Sequence, residues 1–320
     1  MTMEINTFID INELKPIRSA KPNWSDEGKE WPVYKIKISD LHYNDENGRI
    51  ATWMSGYSNN PENKPLNAMS REEYNNTIEK FIKNSNTADS FKNLVNDIRK
   101  KTQLNPGVVL SNGMIVSGNR RFTALRALYE ETADEKYEYF ECFVVDADAN
   151  REFVKLIETK TQFSVVSEED YNPIDRLVTI YMFLINEKTK IWSVKEYAKK
   201  IGIKEGDAAN LYYRALIMVD FLEFIQQPLQ FHIARIRKLD GPIADLAQIY
   251  KKVGLTQPAE WKRIRPLFYS EMNKGSGDRT REVRKVKKIY LNDRAEFDKM
   301  LEKIYKKIFK KILAYVYIYV

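Results

Sequence analysis

Apolar and polar side chains alternate over Val33-Tyr34-Lys35-Ile36-Lys37-Ile38, the period-two signature of a half-buried strand. The chain before it is polar and punctuated by Pro16 and Pro22, so residues 1–30 read as a loosely ordered arm. Ser39 to Gly48 reads as a long turn, and Gly56 to Asn67 as a loop rich in Asn, Pro and Ser. Ser70-Arg71-Glu72-Glu73 then has the form of a capping box that opens a helix. Phe91, Leu94, Val95 and Ile98 recur at helical spacing and predict a second helix, broken before Pro106. Gly107 to Leu110 and Met114 to Val116 flank Ser111-Asn112-Gly113, in which Asn-Gly predicts the positive φ angles of a tight hairpin turn. A helical pattern resumes at Phe122 to Tyr129, and Tyr139 to Val145 reads as another strand. Beyond about residue 165 every periodic segment is helical, apart from a strand-like alternation over Tyr315 to Val320 that follows a stripe of Ile304, Ile308 and Ile312.

The expected fold class is therefore α+β followed by an all-helical region. The expected divisions are an arm at 1–30, an α+β domain at 31–165, a helical domain at 166–235 and a basic helical region at 236–320.

Lys and Arg number 52 against 45 Asp and Glu in 320 residues, a net charge of +7, so the surface field favours polyanions such as nucleic acid or phosphorylated ligands. One cysteine, Cys142, excludes an internal disulfide framework and a multi-thiolate zinc site. His42 and His232 are the two histidines, too few for a His-rich metal centre. No secretory signal is expected near the N-terminus, and no segment reaches the length of a membrane span. A cytoplasmic protein with no membrane partner is the expectation.

The sharpest local pattern is a strand running through Ser117 into Gly118-Asn119-Arg120-Arg121 and then a helix. A helix start exposes unpaired N–H groups and the positive end of the helix dipole, and glycine lets a phosphate approach the backbone. Two adjacent guanidiniums add donors matched to phosphate oxygens. Taken alone, the pattern fits a solvated basic helix start as well as a phosphate seat.

Gly118-Asn119-Arg120-Arg121-Phe122-Thr123-Ala124 resembles the G-E-R-R-x-R-A motif of the ParB-like family. Leu41 to Arg49 is similar to that family's L-x-x-N-x-x-Q-P-R box, with Asn47 for Gln and Gly48 for Pro. Glu158-Thr159-Lys160-Thr161-Gln162 and then Glu168-Glu169-Asp170-Tyr171-Asn172-Pro173-Ile174 resemble its E-N-x-x-R stretch and R-E-D-L-N-P-I-E continuation. The resemblance spans about residues 33 to 225. It implies a ParB/sulfiredoxin-like domain whose turn holds a nucleotide, CTP or ATP, through Gly118, Asn119, Arg120, Arg121, Asn47 and Arg49. It also implies Mg possible at Glu158, the candidate metal ligand and catalytic residue for weak NTP hydrolysis. Asn119 stands for the motif's acid, Thr123 for its third arginine, and Thr159 and Gln162 for Asn and Arg, so binding is implied more directly than hydrolysis. Sulfiredoxin chemistry needs a cysteine in the turn, where this chain has Asn119.

Ser193-Val194-Lys195-Glu196 opens a helix to Ile201, Gly202 supplies a turn, and a second helix follows from about Asp207, the spacing of a helix-turn-helix. ParB-like proteins carry such a unit at this place. Lys204, Asn210, Tyr213 and Arg214 are the candidate DNA-facing side chains, with Glu205 and Asp207 opposing them and a purely architectural helix pair as the alternative. The basic run Arg279, Arg281, Arg284, Lys285, Lys287 and Lys288 reads either as backbone contacts to DNA or as a solvated face. The expected partners are DNA and a second copy of the chain, in a cytoplasmic, nucleoid-associated setting. An enzymatic variant of the fold, nuclease or small-molecule kinase, and an interaction module of a mobile element or defence cluster are the alternatives.

Overall fold

The strand patterns assemble into one mixed sheet in the order β1-β2-β5-β3-β4. Its members are β1 (Arg18–Ala20), β2 (Trp31–Lys37), β3 (Gly107–Leu110), β4 (Ile115–Ser117) and β5 (Tyr139–Val145). Only the β5–β3 pair is parallel. The computed structural model describes residues 8–25, 28–85, 88–163, 171–275 and 277–319. Residues 1–7 of the expected arm, the Glu168-Glu169-Asp170 stretch and Val320 lie outside the described residues.

Period-two burial divides the sheet's side chains between two cores. Tyr34, Ile36, Val109, Ile115, Phe140, Cys142 and Val144 point to one face, with Ile78, Ile98, Phe122 and Leu125 packed over them. Val33, Val108, Leu110, Val116, Phe143 and Val145 point to the other, covered by Trp24 and Ile157. The first layer comes from helices α2 (Arg71–Asn84), α3 (Ala88–Lys101) and α4 (Asn119–Thr132), and the second from α5 (Arg151–Phe163). Strands covered on both faces favour apolar residues at every position, which is why β3 reads as a continuous hydrophobic run and β5 is interrupted at the partly exposed Glu141.

The Ser70 capping box forms: its hydroxyl accepts from the Glu73 N–H at 3.2 Å and the Glu73 carboxylate accepts from the Ser70 N–H at 2.8 Å. The hairpin differs from its expectation. The Gly113 N–H donates to Leu110 O and the Leu110 N–H to Met114 O, closing a three-residue loop in which Gly113 alone has a positive φ, +85°. That is the bulged variant, with glycine in the left-handed position after two right-handed residues. A Cβ on Gly113 would lie 2.5 Å from the Asp40 carbonyl oxygen.

Two segments expected to be irregular are ordered. Residues 18–20 of the expected arm form β1 on the edge of β2, and Trp24 is buried. The first residues of the loop expected from Gly56 belong instead to α1 (Ala51–Ser58), whose Thr52 N–H donates to buried Asp175 at 2.8 Å. That capping partner is distant in sequence, so no local signal marks the helix start.

The chain divides into two units, Met1–Arg176 with Glu196–Gly202 and Leu177–Lys195 with Ile203–Val320. No division falls near residue 235. In the first unit, α6 (Pro173–Ile180) begins and α7 (Val194–Ile201) is held by the Lys200–Glu152 ion pair at 2.9 Å. The second unit contains α8 (Glu205–Phe224), α9 (Phe231–Ile236), α10 (Asp240–Ile249), α11 (Pro258–Met272), α12 (Arg279–Asn292) and α13 (Arg294–Tyr319). Its core is aromatic: Phe221, Trp261, Phe268, Tyr269, Tyr290 and Phe297 are buried. Tyr269 donates to the Asp220 carboxylate at 2.7 Å, and Arg265 pairs with the same group. The strand-like alternation at Tyr315 to Val320 is not realised, because α13 continues to Tyr319; a helix already nucleated adds one hydrogen bond per residue and overrides a short alternation. No described helix is long and apolar enough to cross a membrane.

His42 lies under the hairpin, its N–H donating to Gly113 O at 3.0 Å and its O accepting from the Ile115 N–H at 2.9 Å. Its ring is buried, Nδ1 has no hydrogen-bond partner, and burial, with Arg71 adding repulsion, lowers its pKa from 6.5 to about 4. The unfolded chain takes up this proton near pH 6.5 and the native state only near about 4, so stability falls as pH drops through that window. The loss approaches about 3 kcal/mol at its limit. We expect the denaturation midpoint to fall less between pH 7 and 5 in His42→Asn than in the unsubstituted chain; parallel pH profiles would contradict this. Gly113→Ala should cost roughly 1–3 kcal/mol by placing a Cβ against a carbonyl at positive φ. Gly202, at φ +76° in open space, should tolerate alanine at about 1 kcal/mol. Equal shifts in urea midpoint for the two variants would show that the close approach is not a constraint.

Candidate nucleotide site

The start of α4 sits where β4 ends. Gly118 has φ +99°, and a Cβ there would lie 2.8 Å from Phe140 Cζ and 3.3 Å from Gly107 Cα. Gly107 is equally constrained, since its own Cβ would meet the Phe140 ring at 2.3 Å. The two glycines therefore let β3, the turn and Phe140 stack in one place. Nothing compensates the positive end of this helix: Gly118 provides no side-chain cap, and the first turn holds no acidic residue. By contrast, α2 carries Glu72 and Glu73 there.

Arg121 turns back across the turn and donates to the backbone carbonyls of Asn105 and Pro106, the latter at 3.3 Å. Burial lowers its pKa to about 10, so it remains a cation at neutral pH. Both of these partners are carbonyls rather than carboxylates. Arg120 donates to Ser90 Oγ at 2.6 Å, tying the turn to α3. Asn119 is 5% exposed, donates weakly to Ile115 O at 3.4 Å, and presents an Oδ1 with no hydrogen-bond partner.

The first turn of α4 is also braced from behind. Thr123 Oγ1 donates to Asn119 O at 2.9 Å and lies 2.8 Å from the Tyr43 hydroxyl, which in turn is 3.3 Å from Glu79. Arg126 and Lys83 neutralise Glu79 at 2.7 and 2.6 Å. Burial, reinforced by Glu79, raises the Tyr43 pKa well above its ordinary value, so its phenol stays protonated. The sequence reading did not find Tyr43 and Glu79; a buried Glu within a helix that otherwise faces the core was the available signal.

The opposite wall comes from the 44–50 loop and α5. Asn47 Oδ1 accepts from the Arg49 N–H at 3.0 Å and from Gln162 Nε2 at 3.1 Å. The Arg49 guanidinium lies 5.3 Å from the Tyr171 ring centre. Glu158, 2% exposed, accepts from the Gly48 N–H at 3.0 Å, Gln162 at 3.2 Å and Lys155 at 3.1 Å. Lys155 also bridges to Glu46 at 3.0 Å. Burial pulls the Lys155 pKa down, but the carboxylates of Glu158 and Glu46 outweigh it and hold the ammonium above its usual range.

Between these walls lies a cleft of about 660 Å³. Gly118, Asn119, Arg120, Arg121, Asn47 and Arg49, the six residues expected to hold a nucleotide, all line it. Arg18 and Lys21 from the β1 segment join them, so five cations face the cleft and no carboxylate does among the described lining residues. Val108, Val116 and Phe143 supply an apolar floor.

Glu158 does not line the cleft. Its oxygens are engaged by Gly48, Gln162 and Lys155, and no cluster of three His, Cys, Asp or Glu among the described residues could hold a metal ion. The described donors therefore do not fit a magnesium ion held by Glu158, nor Glu158 as a catalytic group; the carboxylate positions the 44–50 loop instead. Cys142 is fully buried, and burial pushes its thiol pKa up, which leaves it unreactive.

In the helical unit, Lys204 and Asn210 are exposed. Tyr213 packs its ring 5.9 Å from Tyr212 and 6.0 Å from Tyr250, and Arg214, 17% exposed at the side chain, pairs with Asp240. Two of the four candidate DNA-facing side chains thus tie α8 to its neighbours rather than facing outward.

No protein-family model matches the chain, and no curated protein does. Among solved structures, it matches two of a pNOB8-like ParB N-domain, each at 15% identity and covering 86% of this chain, with 97% and 91% of those chains covered and TM-scores of 0.43 and 0.44. It also matches the C-terminally truncated chromosome-partitioning protein ParB from Caulobacter crescentus complexed to the centromeric parS site, at 14% identity, 78% of this chain, 95% of that chain and a TM-score of 0.34. The same Caulobacter protein complexed with CTP-gamma-S matches at 13% identity, over 68% of this chain and 92% of that chain, with a TM-score of 0.24.

Proposed function

We propose that the N-terminal α+β unit binds a nucleotide, CTP or ATP, with its phosphates against the Gly118 turn, and that occupancy controls how the protein dimerises and engages DNA. The observation that carries this reading is the half-buried Arg121 guanidinium, bonded to carbonyls, in a cleft lined by five cations and no described carboxylate. A half-buried guanidinium held on carbonyls is less well solvated than a free one, so it favours a bound anion. The uncapped start of α4 adds its dipole to the same point.

A phosphate alone would leave two features unused. The orphan Asn119 Oδ1 accepts a donor, such as a ribose hydroxyl or a base amino group, and the apolar floor of Val108, Val116 and Phe143 suits a base or sugar. Glu158 and Lys155 act here as supports for the Asn47 and Arg49 wall. That arrangement favours binding over hydrolysis. The DNA-engaging part of the reading rests on the helix-turn-helix pattern of the sequence from Ser193 through Gly202 and Asp207 onward, and on the positive charge of the chain.

Retention of radiolabelled CTP and ATP on a filter tests the site. Arg121→Ala should weaken retention at least about tenfold, the scale of one charge-assisted bidentate contact, while the far-ultraviolet circular dichroism stays native. Because Arg121 also braces Asn105 and Pro106, Arg121→Lys serves as a second variant and should fall between the two. Equal retention by all three proteins would remove the nucleotide assignment.

A further inference from the structure

The helical unit carries a second concentration of positive charge, separate from the cleft and on a different element. Along α12, Val283, Val286 and Tyr290 are buried at helical spacing and define its inner face. Arg281, Arg284, Lys285 and Lys288 recur at i, i+3, i+4 and i+7 on the outer face, and all four are exposed. Together with Asp278 and Thr280 they line a shallow depression of about 500 Å³. Arg281 and Lys288 stand at the two ends of the row, about 10 Å apart along the axis, a length of about three base steps on one DNA strand.

The acids nearby do not quench this row. Asp245 on α10 accepts from Arg284 Nε at 2.7 Å, and Glu282 accepts from Lys285 at 2.6 Å. Yet the Arg284 and Lys285 side chains remain 66% and 54% exposed, and exposed ion pairs of this kind hold weakly against a competing phosphate. Asp278 is committed as the N-cap, accepting from the Arg281 N–H at 3.0 Å. Arg279 and Lys287 do not belong to the row: the first donates to the carbonyls of Lys274 and Gly275, the second to Gln248 at 2.6 Å.

The start of α8 presents a different surface. Lys204 and Asn210 are exposed there, but so are Glu205 and Asp207, and Arg214 is taken up by Asp240. Like charge at the first turn repels a phosphate backbone, and the guanidinium that would offset it points inward.

We infer that the outer face of α12, through Arg281, Arg284, Lys285 and Lys288, is a contact surface for the phosphate backbone of duplex DNA, and that it outweighs the exposed face of α8 in DNA affinity. The inference rests on the reading of the protein as DNA-engaging and specifies which surface does it. Charge complementarity selects the partner: a row of exposed cations on a rigid helix, without a described apolar anchor among its lining residues, matches a polyanion read by its backbone rather than by its bases.

The test uses the full chain and a fluorescent duplex of mixed sequence, with affinity measured by anisotropy between 50 and 200 mM salt. Arg281→Ala/Lys288→Ala should weaken binding roughly tenfold and lower the slope of log K against log salt by about 2, since each lost phosphate contact removes about 0.9. Arg281→Lys/Lys288→Arg should bind as the unsubstituted protein does, which separates loss of charge from loss of fold. Lys204→Ala/Asn210→Ala should change affinity less than the α12 pair. No DNA binding at 50 mM salt, an unchanged slope in the α12 variant, or a larger loss from the α8 variant would each overturn the inference. Nucleotide retention, measured on the same variants, should be unaltered in all of them, so failure of the DNA surface is distinguishable from failure of the cleft.

Discussion

A half-buried guanidinium held on carbonyls is the constraint around which the N-terminal unit is arranged. Arg121 reaches from the first turn of α4 to the carbonyls of Asn105 and Pro106, where the chain enters β3. Burial lowers its pKa to about 10, which leaves it charged and short of a counter-ion. The reach is possible because Gly118 and Gly107 have no side chains, so the turn and β3 close over Phe140. A β-carbon at either glycine would separate the arginine from its carbonyls and the helix start from the sheet. The same lack of a capping carboxylate that leaves α4 exposed to an anion is thus part of how the turn is built.

Around that centre, two buried carboxylates are neutralised away from the cleft. Glu79 is satisfied by Arg126, Lys83 and Tyr43 behind α4, and Glu158 by Lys155, Gly48 and Gln162 behind the opposite wall. Both carboxylates brace the walls without entering the cleft. The lining cations, from the β1 segment, the 44–50 loop and α4, come from three distant parts of the chain and meet in one place, Arg18 also pairing with Glu141 at 3.1 Å. A field assembled in this way attracts a multiply charged ligand more strongly than any one of its arginines would. The helical unit repeats the principle in another form, with a rigid helix presenting a row of charge and an aromatic core setting its orientation.

What could be read from the sequence was what neighbouring residues decide. The Ser70-Glu73 capping box, the alternation of β2, and the hairpin feeding Gly118-Asn119-Arg120-Arg121 each involve groups a few residues apart, and each appears in the fold. The positive φ expected at Asn112 is absent because a three-residue loop needs it at Gly113 alone, and contact of the loop with Asp40 is not local. Helix α1 depends on Asp175 and strand β1 on β2, so Arg18 and Lys21 could not be recognised as cleft residues from the polar, proline-marked segment that carries them. Glu158 matched a motif position, but its ion pair with Lys155 at i,i+3 decides what the carboxylate can do. Tyr213 and Arg214 fall on a helix whose period marks them as outward, yet Tyr250 and Asp240 take them up. Function was legible where it rests on a turn and obscured where it rests on which surface a neighbour covers.

The central claim is that the start of α4 and the 44–50 loop close on one multiply charged ligand. Amide hydrogen exchange of the full chain, followed with and without CTP, reads both walls at once. The account predicts slower exchange at residues 118–122 and 47–50 together when CTP is present, with the helices of the second unit unaffected at the earliest times. Exchange at both segments that stays the same at saturating CTP, ATP and GTP would contradict it.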